Sequence, residues 1–135
     1  MSSEDDASDI VWLTEIQIRI LHAEVISLFG GAPGIRDAGL LKSALARSRN
    51  LCAYEEDATL FDLAAAYAFG LAMNHAFIDG SKRVALLAAR AFLFANGYRF
   101  DPDEVETVTT IESLAAGHLS EEILAAWIEA NSSQR

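Results

Sequence analysis

The chain has 135 residues, of which 52% are hydrophobic and 22% are charged, with twenty acidic side chains against ten basic ones. This length and apolar fraction fit one globular domain that buries a substantial core, and they leave no room for a second domain. A net charge of −10, with the basic residues scattered, argues against a protein that binds the phosphates of a nucleic acid. We therefore expect no direct contact with DNA or RNA.

The sequence predicts no membrane span and no secretory signal. Its long apolar stretches, 63–73 and 84–94, are shorter than the roughly 20 residues that a spanning helix needs, and the second contains Arg90. Residues 1–9 are acidic where a secretory signal would be basic and then apolar. The lone Cys52 has no partner for a disulfide and no CxxC companion for a metal. These features predict a cytoplasmic protein in which Cys52 is a small structural residue.

The chain divides into two short tails and one domain. Residues 1–9 carry four acidic side chains and are predicted to form a disordered tail. The folded domain is predicted over 10–131, and a C-terminal tail over 132–135.

The first two predicted helices surround a glycine-rich loop. Thr14 and Gln17 have the spacing of a capping box for a helix through about Leu28. Its buried stripe is predicted to consist of Ile18, Leu21, Val25 and Phe29. Residues 30–34 interrupt the periodicity, and Asp37 can cap a short helix. That helix carries Leu40, Leu41, Ala44 and Leu45, and an irregular stretch from about Arg49 to Ala58 follows it.

Two helices that are apolar nearly all round, 60–74 and about 82–96, are predicted to form the centre of the domain. Beyond them, Asp101 and Pro102 begin another helix, and Ser120 caps a last amphipathic helix. The predicted fold class is therefore all-α, a single-domain bundle of about six helices with two apolar central helices.

The densest group of reactive and ionic side chains, residues 74–83, lies between the two central helices. One interpretation is a capped turn, in which Asp79 or Ser81 caps the second helix and His75 bonds to a carbonyl. For any single residue this interpretation is the usual one, because polar groups beside a core must be satisfied.

The combination of groups instead favours phosphoryl transfer. Histidine is the side chain that most often serves as a general base, and His75 can accept a proton from an attacking hydroxyl. Asp79 offers the oxygen ligand that Mg²⁺ prefers. Gly80 keeps the backbone accessible, while the first amides of the following helix favour an anion. Lys82 and Arg83 bring positive charge to the place where phosphates would lie.

The string H-A-F-I-D-G-S-K-R over residues 75–83 resembles the Fic/Doc signature, H-x-F-x-(D/E)-G-N-(K/G)-R. Further segments, 34–45, 53–56 and 115–120, resemble the death-on-curing (Doc) branch in the same order, so that the similarity covers roughly Gly31 to Ile128. The resemblance implies an all-helical bundle whose signature loop joins two central helices.

The resemblance also implies a role for each signature residue. His75 would be the general base on a protein hydroxyl, Phe77 the structural anchor of the loop in the core, and Asp79 the Mg²⁺ ligand. The nucleotide phosphates would be bound by Gly80, Ser81, Lys82 and Arg83. ATP would be the cosubstrate, with Mg²⁺.

Two positions point to the Doc branch. Family members that transfer AMP usually have glycine where this chain has Lys82, and a second arginine where it has Leu86. By resemblance to that branch, this chain would move the terminal phosphoryl group to a threonine of elongation factor Tu and arrest translation. A small antitoxin, whose C-terminal segment folds as a helix against the toxin, normally restrains members of that branch. The chain lacks an inhibitory S/T-x-x-x-E-(G/N) helix of its own, which predicts restraint in trans.

Ser81 departs from the signature, because it replaces asparagine by a hydroxyl that has no amide. This replacement leaves open a catalytically degenerate member that only binds its partner. AMP transfer to a protein hydroxyl by the same residues is a separate alternative that also stays open.

The remaining polar candidates are given structural interpretations. His22 and His118 have no metal-ligand partner at useful spacing and are predicted to be structural or solvent-facing. Arg36 and Asp37 lie where they could approach a nucleotide, but a helix cap is the favoured role of Asp37.

Overall fold

A computed structural model describes residues 9–135, so the tail predicted over 1–9 lies outside the described part except for Asp9. This part contains six helices and two short strands. In chain order they are α1 (Glu15–Phe29), α2 (Ala38–Tyr54), α3 (Leu60–Asn74), α4 (Ser81–Ala95), β1 (Tyr98–Phe100), α5 (Glu104–Ala115), α6 (Glu121–Ala130) and β2 (Ser132–Gln134). None of these helices is both long enough and apolar enough to cross a membrane. The predicted helical bundle is confirmed.

Helix α3 lies at the centre of the bundle, where α2, α4, α5 and α6 all contact it. A capping box between Thr59 and Asp62 fixes its start. Small side chains let its neighbours approach closely: a Cβ at Gly70 would lie 3.1 Å from the carbonyl oxygen of Ala44 in α2. The prediction of two apolar central helices is therefore confirmed, with α4 as the second.

Tyr67 joins the segment before α1 to this centre. Its ring is buried on α3 and packs against Phe92 of α4, with 5.1 Å between ring centroids. Its hydroxyl oxygen accepts a hydrogen bond from the Leu13 N–H at 3.1 Å. Burial raises the pKa of Tyr67 above its usual value, so the hydroxyl is neutral at physiological pH.

Helix α1 begins as predicted, with a complete capping box between Thr14 and Gln17. Ile18 and Val25 are buried as predicted, but Phe29 is 57% exposed and does not belong to the buried stripe. Phe29 is the last residue of α1, and its ring is covered by the guanidinium group of Arg83, 3.8 Å from the ring centroid, rather than by apolar side chains.

Helix α2 is longer than predicted, because the stretch expected to be irregular from Arg49 continues the helix as far as Tyr54. The buried Ser48 hydroxyl donates a hydrogen bond to the carbonyl of Leu63 in α3. Leu51 and Cys52 then pack, partly buried, against the core. Contacts with α3 therefore support a helix that the local sequence does not indicate.

The two strands were not predicted. β2 pairs antiparallel with β1, with Phe100 opposite Ser132, where a C-terminal tail was expected over 132–135. The Asp101 N–H also donates to the Asn131 carbonyl at 3.0 Å. Helix α5 starts at Glu104 with Asp103 as its N-cap, slightly later than predicted.

Candidate active site

The segment between α3 and α4 begins and ends at residues with left-handed backbone conformations. His75 is the C-cap of α3, with φ 52° and ψ 44°, and is the one non-glycine residue in the described part with a positive φ. Gly80 is the N-cap of α4, with φ 86°. Histidine is among the side chains that tolerate this conformation. The two caps turn the chain sharply and leave the His75 side chain exposed.

The glycine-rich loop before α2 holds this segment through backbone pairing. Ile35 and Phe77 form an antiparallel bridge. The carbonyl of Ala76 accepts hydrogen bonds from the N–H groups of Arg36 at 2.8 Å and Asp37 at 3.2 Å. Phe77 is 2% exposed, so the structure places it in the core beneath the segment.

Arg36 also contacts the segment through its side chain. Its Nε donates a hydrogen bond to the His75 carbonyl at 2.8 Å, which holds the backbone at the left-handed residue. Asp37 is the N-cap of α2 and accepts from the Leu40 N–H at 3.0 Å, so its predicted capping role is confirmed.

Asp79 is exposed and is held by the same loop. Its Oδ2 accepts a hydrogen bond from the Ala32 N–H at 2.8 Å. A Cβ at Gly31 would lie 3.1 Å from the Cβ of Asp79, so the loop approaches closely only because this position is glycine. One carboxylate oxygen is thus occupied, and the described residues place no donor on Oδ1.

The donor set of the segment suits Mg²⁺ better than a metal enclosed by protein. Within residues 9–135, no group of three or more His, Cys, Asp or Glu side chains could hold a metal ion. Mg²⁺ typically uses one or two carboxylates and takes its other ligands from water and substrate phosphates. The single available carboxylate of Asp79 fits that mode of binding.

The N-terminus of α4 has no side-chain cap. Each of the other five helices in the described part has one, provided by Thr14, Asp37, Thr59, Asp103 and Ser120. At α4 the N-cap is Gly80, which can provide none. The first amides of a helix are left without intrahelical acceptors and carry partial positive charge. An anion can therefore be bound at this end.

Ser81 opens α4 with a buried hydroxyl. The residue is 9% exposed, and its Oγ has no hydrogen-bond partner among the described residues. An unsatisfied buried hydroxyl costs about 1–3 kcal/mol. At this helix end a bound anion or an ordered water can supply the partner.

Lys82 and Arg83 are exposed in the first turn of α4. Arg83 stacks on Phe29, as described above, and this contact holds its guanidinium group near the N-terminus of the helix. Leu86, one turn later, is buried in the core. The structure therefore brings the two cationic side chains of Lys82 and Arg83 to this end of α4. Position 86 adds no third cation.

The sequence interpretation missed the part that His22 plays in the site. His22 is 5% exposed on α1, and its Nε2 lies 2.7 Å from the carbonyl oxygen of Asp79. The spacing of Ile18, His22 and Val25 could have revealed its burial, because positions four and three apart share one helix face. A cavity of about 400 Å³ between α1 and the loop lies beside it and reaches Phe77.

Alanine at Gly80 is expected to lower the free energy of unfolding by about 2 kcal/mol, because the left-handed backbone is costly for alanine and the new Cβ would lie 3.2 Å from Val25. Gly117→Ala is the matched control, since Gly117 has φ 78° and open space around it. We expect a loss of about 1 kcal/mol there. Urea denaturation of both variants measures the difference, and equal losses would show that the Val25 contact contributes nothing.

Comparison with known proteins shows similarity to one family. Residues 12–93 match the Fic/DOC family. The chain is 39% identical over 101 residues to a protein named protein kinase doc from Escherichia phage P1, covering 74% of this chain and 79% of that one. It is 46% identical over 84 residues to a protein named toxin Doc from Mycolicibacterium smegmatis, covering 58% of this chain and 64% of the relative.

Proposed function

The chain belongs to the Fic/Doc family, and we propose that it is a Doc-type toxin that transfers the terminal phosphoryl group of ATP to a protein hydroxyl. The observation that carries this proposal is the arrangement of one segment. It presents an exposed His75, an exposed Asp79 carboxylate and the uncapped N-terminus of α4 along a backbone that is fixed by the preceding loop.

In the proposed reaction His75 accepts the proton of the attacking hydroxyl. The hydroxyl oxygen forms a bond to the γ-phosphorus, and the bond between that phosphorus and its bridging oxygen breaks, so that ADP leaves. A general base of this kind contributes about 10²–10⁴-fold to a rate. The Arg36 bond to the His75 carbonyl supports this role, because it fixes the backbone that carries the imidazole.

The phosphates of ATP would be bound by four consecutive residues, Gly80, Ser81, Lys82 and Arg83. The backbone supplies donors at the start of α4, the Ser81 hydroxyl is buried beside them, and the two side chains supply charge. Asp79 would bind Mg²⁺ jointly with these phosphates, and the metal would neutralise charge that develops in the transition state. Phe77 would anchor the loop through its burial.

Phosphoryl transfer is favoured over AMP transfer by two positions. Lys82 is exposed in the first turn of α4, and Leu86 is buried where AMP-transferring members usually have a second arginine. The relative named protein kinase doc agrees with this choice.

We further propose that the target is a threonine of elongation factor Tu and that the reaction arrests translation in the cytoplasm. The relative named toxin Doc supports the role of a toxin with a cognate antitoxin. We expect the antitoxin to restrain this chain in trans through a helix at its C-terminus.

Incubating the purified protein with elongation factor Tu, Mg²⁺ and ATP tests the proposal. With γ-labelled ATP we expect label on the factor, and with α-labelled ATP none. Intact-mass measurement should show addition of one phosphoryl group, and peptide mapping should locate it on a threonine. Label from α-labelled ATP would instead establish AMP transfer, the alternative left open by the sequence.

Ser81→Asn tests the other alternative, a member that only binds its partner. We expect both the natural chain and the variant to transfer the phosphoryl group. Transfer by the variant alone would establish that serine at this position has abolished catalysis. A chain that modifies no translation factor in either form would contradict the proposed function.

A further inference from the structure

His22 is buried on α1 and forms a directed hydrogen bond with the signature segment. Its Nε2 lies 2.7 Å from the backbone carbonyl oxygen of Asp79. A carbonyl oxygen can only accept, so Nε2 carries the hydrogen and the imidazole is the donor. A side chain 57 residues earlier in the chain thus reaches the peptide that leads into α4.

A second contact fixes the plane of the imidazole. The ring stacks on Phe77, with 3.9 Å between centroids and 11° between planes. Phe77 is itself buried and is paired with the glycine-rich loop through Ile35. The stack sets the orientation of the ring, and the hydrogen bond is then made in a direction determined by the core.

The bond has a consequence on the opposite side of the same peptide. The peptide bonds of the described residues are trans, and in a planar trans peptide the C=O and N–H groups point in opposite directions. Since the Asp79 carbonyl points at His22, the Gly80 N–H points away from His22 and from α1. In residues 9–135 this N–H has no hydrogen-bond acceptor.

Packing places this peptide against α1. A Cβ at Gly80 would lie 3.2 Å from Val25 and 3.5 Å from the His22 ring, so the Gly80 backbone lies directly against α1. The Asp79 side chain is held separately by Ala32. His22 therefore acts on the orientation of the Asp79–Gly80 peptide, while the loop acts on the carboxylate.

We propose that His22 is a positioning residue of the site, which orients the Asp79–Gly80 peptide so that the Gly80 N–H donates to a phosphate of the nucleotide. The inference rests on the proposed function for the identity of the anion. His22 does not touch the substrate; it acts through the backbone, and the outward amide joins the donors at the start of α4.

Three variants separate the hydrogen bond from the packing of the ring. His22→Phe keeps an aromatic ring on Phe77 and removes the donor. His22→Asn keeps a polar group whose amide is too short to reach the Asp79 carbonyl. His22→Gln loses the ring but places an amide N–H near the position of Nε2. We expect His22→Phe and His22→Asn to lower kcat/KM for ATP about tenfold and His22→Gln to restore it to within about threefold.

Nuclear magnetic resonance of the ¹⁵N-labelled full chain gives a second readout, which does not require phosphotransfer. Titration with ATP and Mg²⁺ should shift the Gly80 amide resonance in the natural chain and in His22→Gln. The shift should be lost in His22→Phe and His22→Asn. Thermal unfolding of each variant supplies the stability comparison, because a merely structural histidine would make activity follow stability.

The outcomes distinguish this inference from the proposed function. The natural chain could transfer no phosphoryl group while its Gly80 amide still responded to ATP, with that response lost in His22→Phe and His22→Asn. This result would support the positioning role of His22 and contradict the proposed phosphoryl transfer. Full activity in His22→Phe together with a loss in His22→Gln would overturn the inference, because packing alone would then matter. A Gly80 amide that does not respond to ATP in the natural chain would overturn it as well.

Discussion

His75→Asn is expected to lower the rate of phosphoryl transfer by about 10²–10⁴-fold, the range that a general base contributes. Asparagine cannot accept the hydroxyl proton at neutral pH. It does tolerate the left-handed conformation that His75 adopts at φ 52°. The variant should therefore keep the backbone of the segment, including the bond from Arg36 to the carbonyl of residue 75, while it loses catalysis.

A comparison with alanine separates catalysis from folding. His75→Ala places a poorly suited residue at a positive φ and should lower the free energy of unfolding by about 1 kcal/mol. The two variants should then be equally inactive but unequally stable. His118→Asn is the matched control, because His118 is exposed in the turn after α5 and should leave the rate unchanged.

Single-turnover transfer from γ-labelled ATP measures these rates directly, and growth arrest in cells that express each variant gives an independent readout. Toxicity and transfer should disappear together. If His75→Asn kept the rate of the natural chain, the imidazole would not be the base, and the proposed mechanism would be refuted.

The sequence predicts best the features that depend on neighbouring residues. Thr14, Asp37 and Ser120 are recognisable as caps because a side-chain oxygen three residues from its backbone partner forms a local motif, and each one starts a helix in the structure. The two central helices were equally clear, because few polar residues interrupt them.

Features that depend on distant contacts were missed. The last turns of α2 are supported by α3, through the Ser48 hydroxyl and the partly buried Leu51. β2 consists of Ser-Ser-Gln, which has no strand pattern, and it exists because β1 offers a partner. Neither partner can be inferred from the residues next to the element.

The same division applies to the candidate site. The order of the candidate groups along residues 75–83 was evident, because the chemistry is contained in one short segment. The pairing of Ile35 with Phe77 was not predicted, since it joins residues 42 positions apart. The hydrogen bond from His22 was missed for the same reason. The sequence indicates the candidate groups, whereas the supports that hold them come from α1 and the glycine-rich loop.

Asp79→Asn is expected to lower phosphoryl transfer by about 10²-fold or more, because a metal that stabilises transition-state charge contributes several kcal/mol. The carboxylate makes one contact in the structure, and we propose a second role for it. Its Oδ2 accepts the Ala32 N–H at 2.8 Å, and its other oxygen is available to a cation. The amide of asparagine retains an oxygen for Ala32 but loses the negative charge that would bind Mg²⁺.

Asp79→Ala removes both the hydrogen bond from Ala32 and the proposed Mg²⁺ ligand. Its comparison with Asp79→Asn therefore separates the two roles. Both variants should be inactive, but only alanine should release the loop, which costs about 1 kcal/mol for the lost hydrogen bond and accelerates hydrogen exchange at the Ala32 amide. Asp101→Asn controls for the loss of one exposed negative charge and should alter neither the rate nor the exchange.

A Mg²⁺ titration of the transfer rate completes the test. The natural chain should reach its full rate at low millimolar Mg²⁺ and lose it when a chelator is added, whereas Asp79→Asn should remain slow across the titration. If Asp79→Asn kept the natural rate at low Mg²⁺, the carboxylate would serve only to hold the loop through Ala32 and would not bind the metal. Slow transfer together with an unchanged Ala32 amide would instead place its effect on the metal, because the hydrogen bond that positions the loop would then be intact.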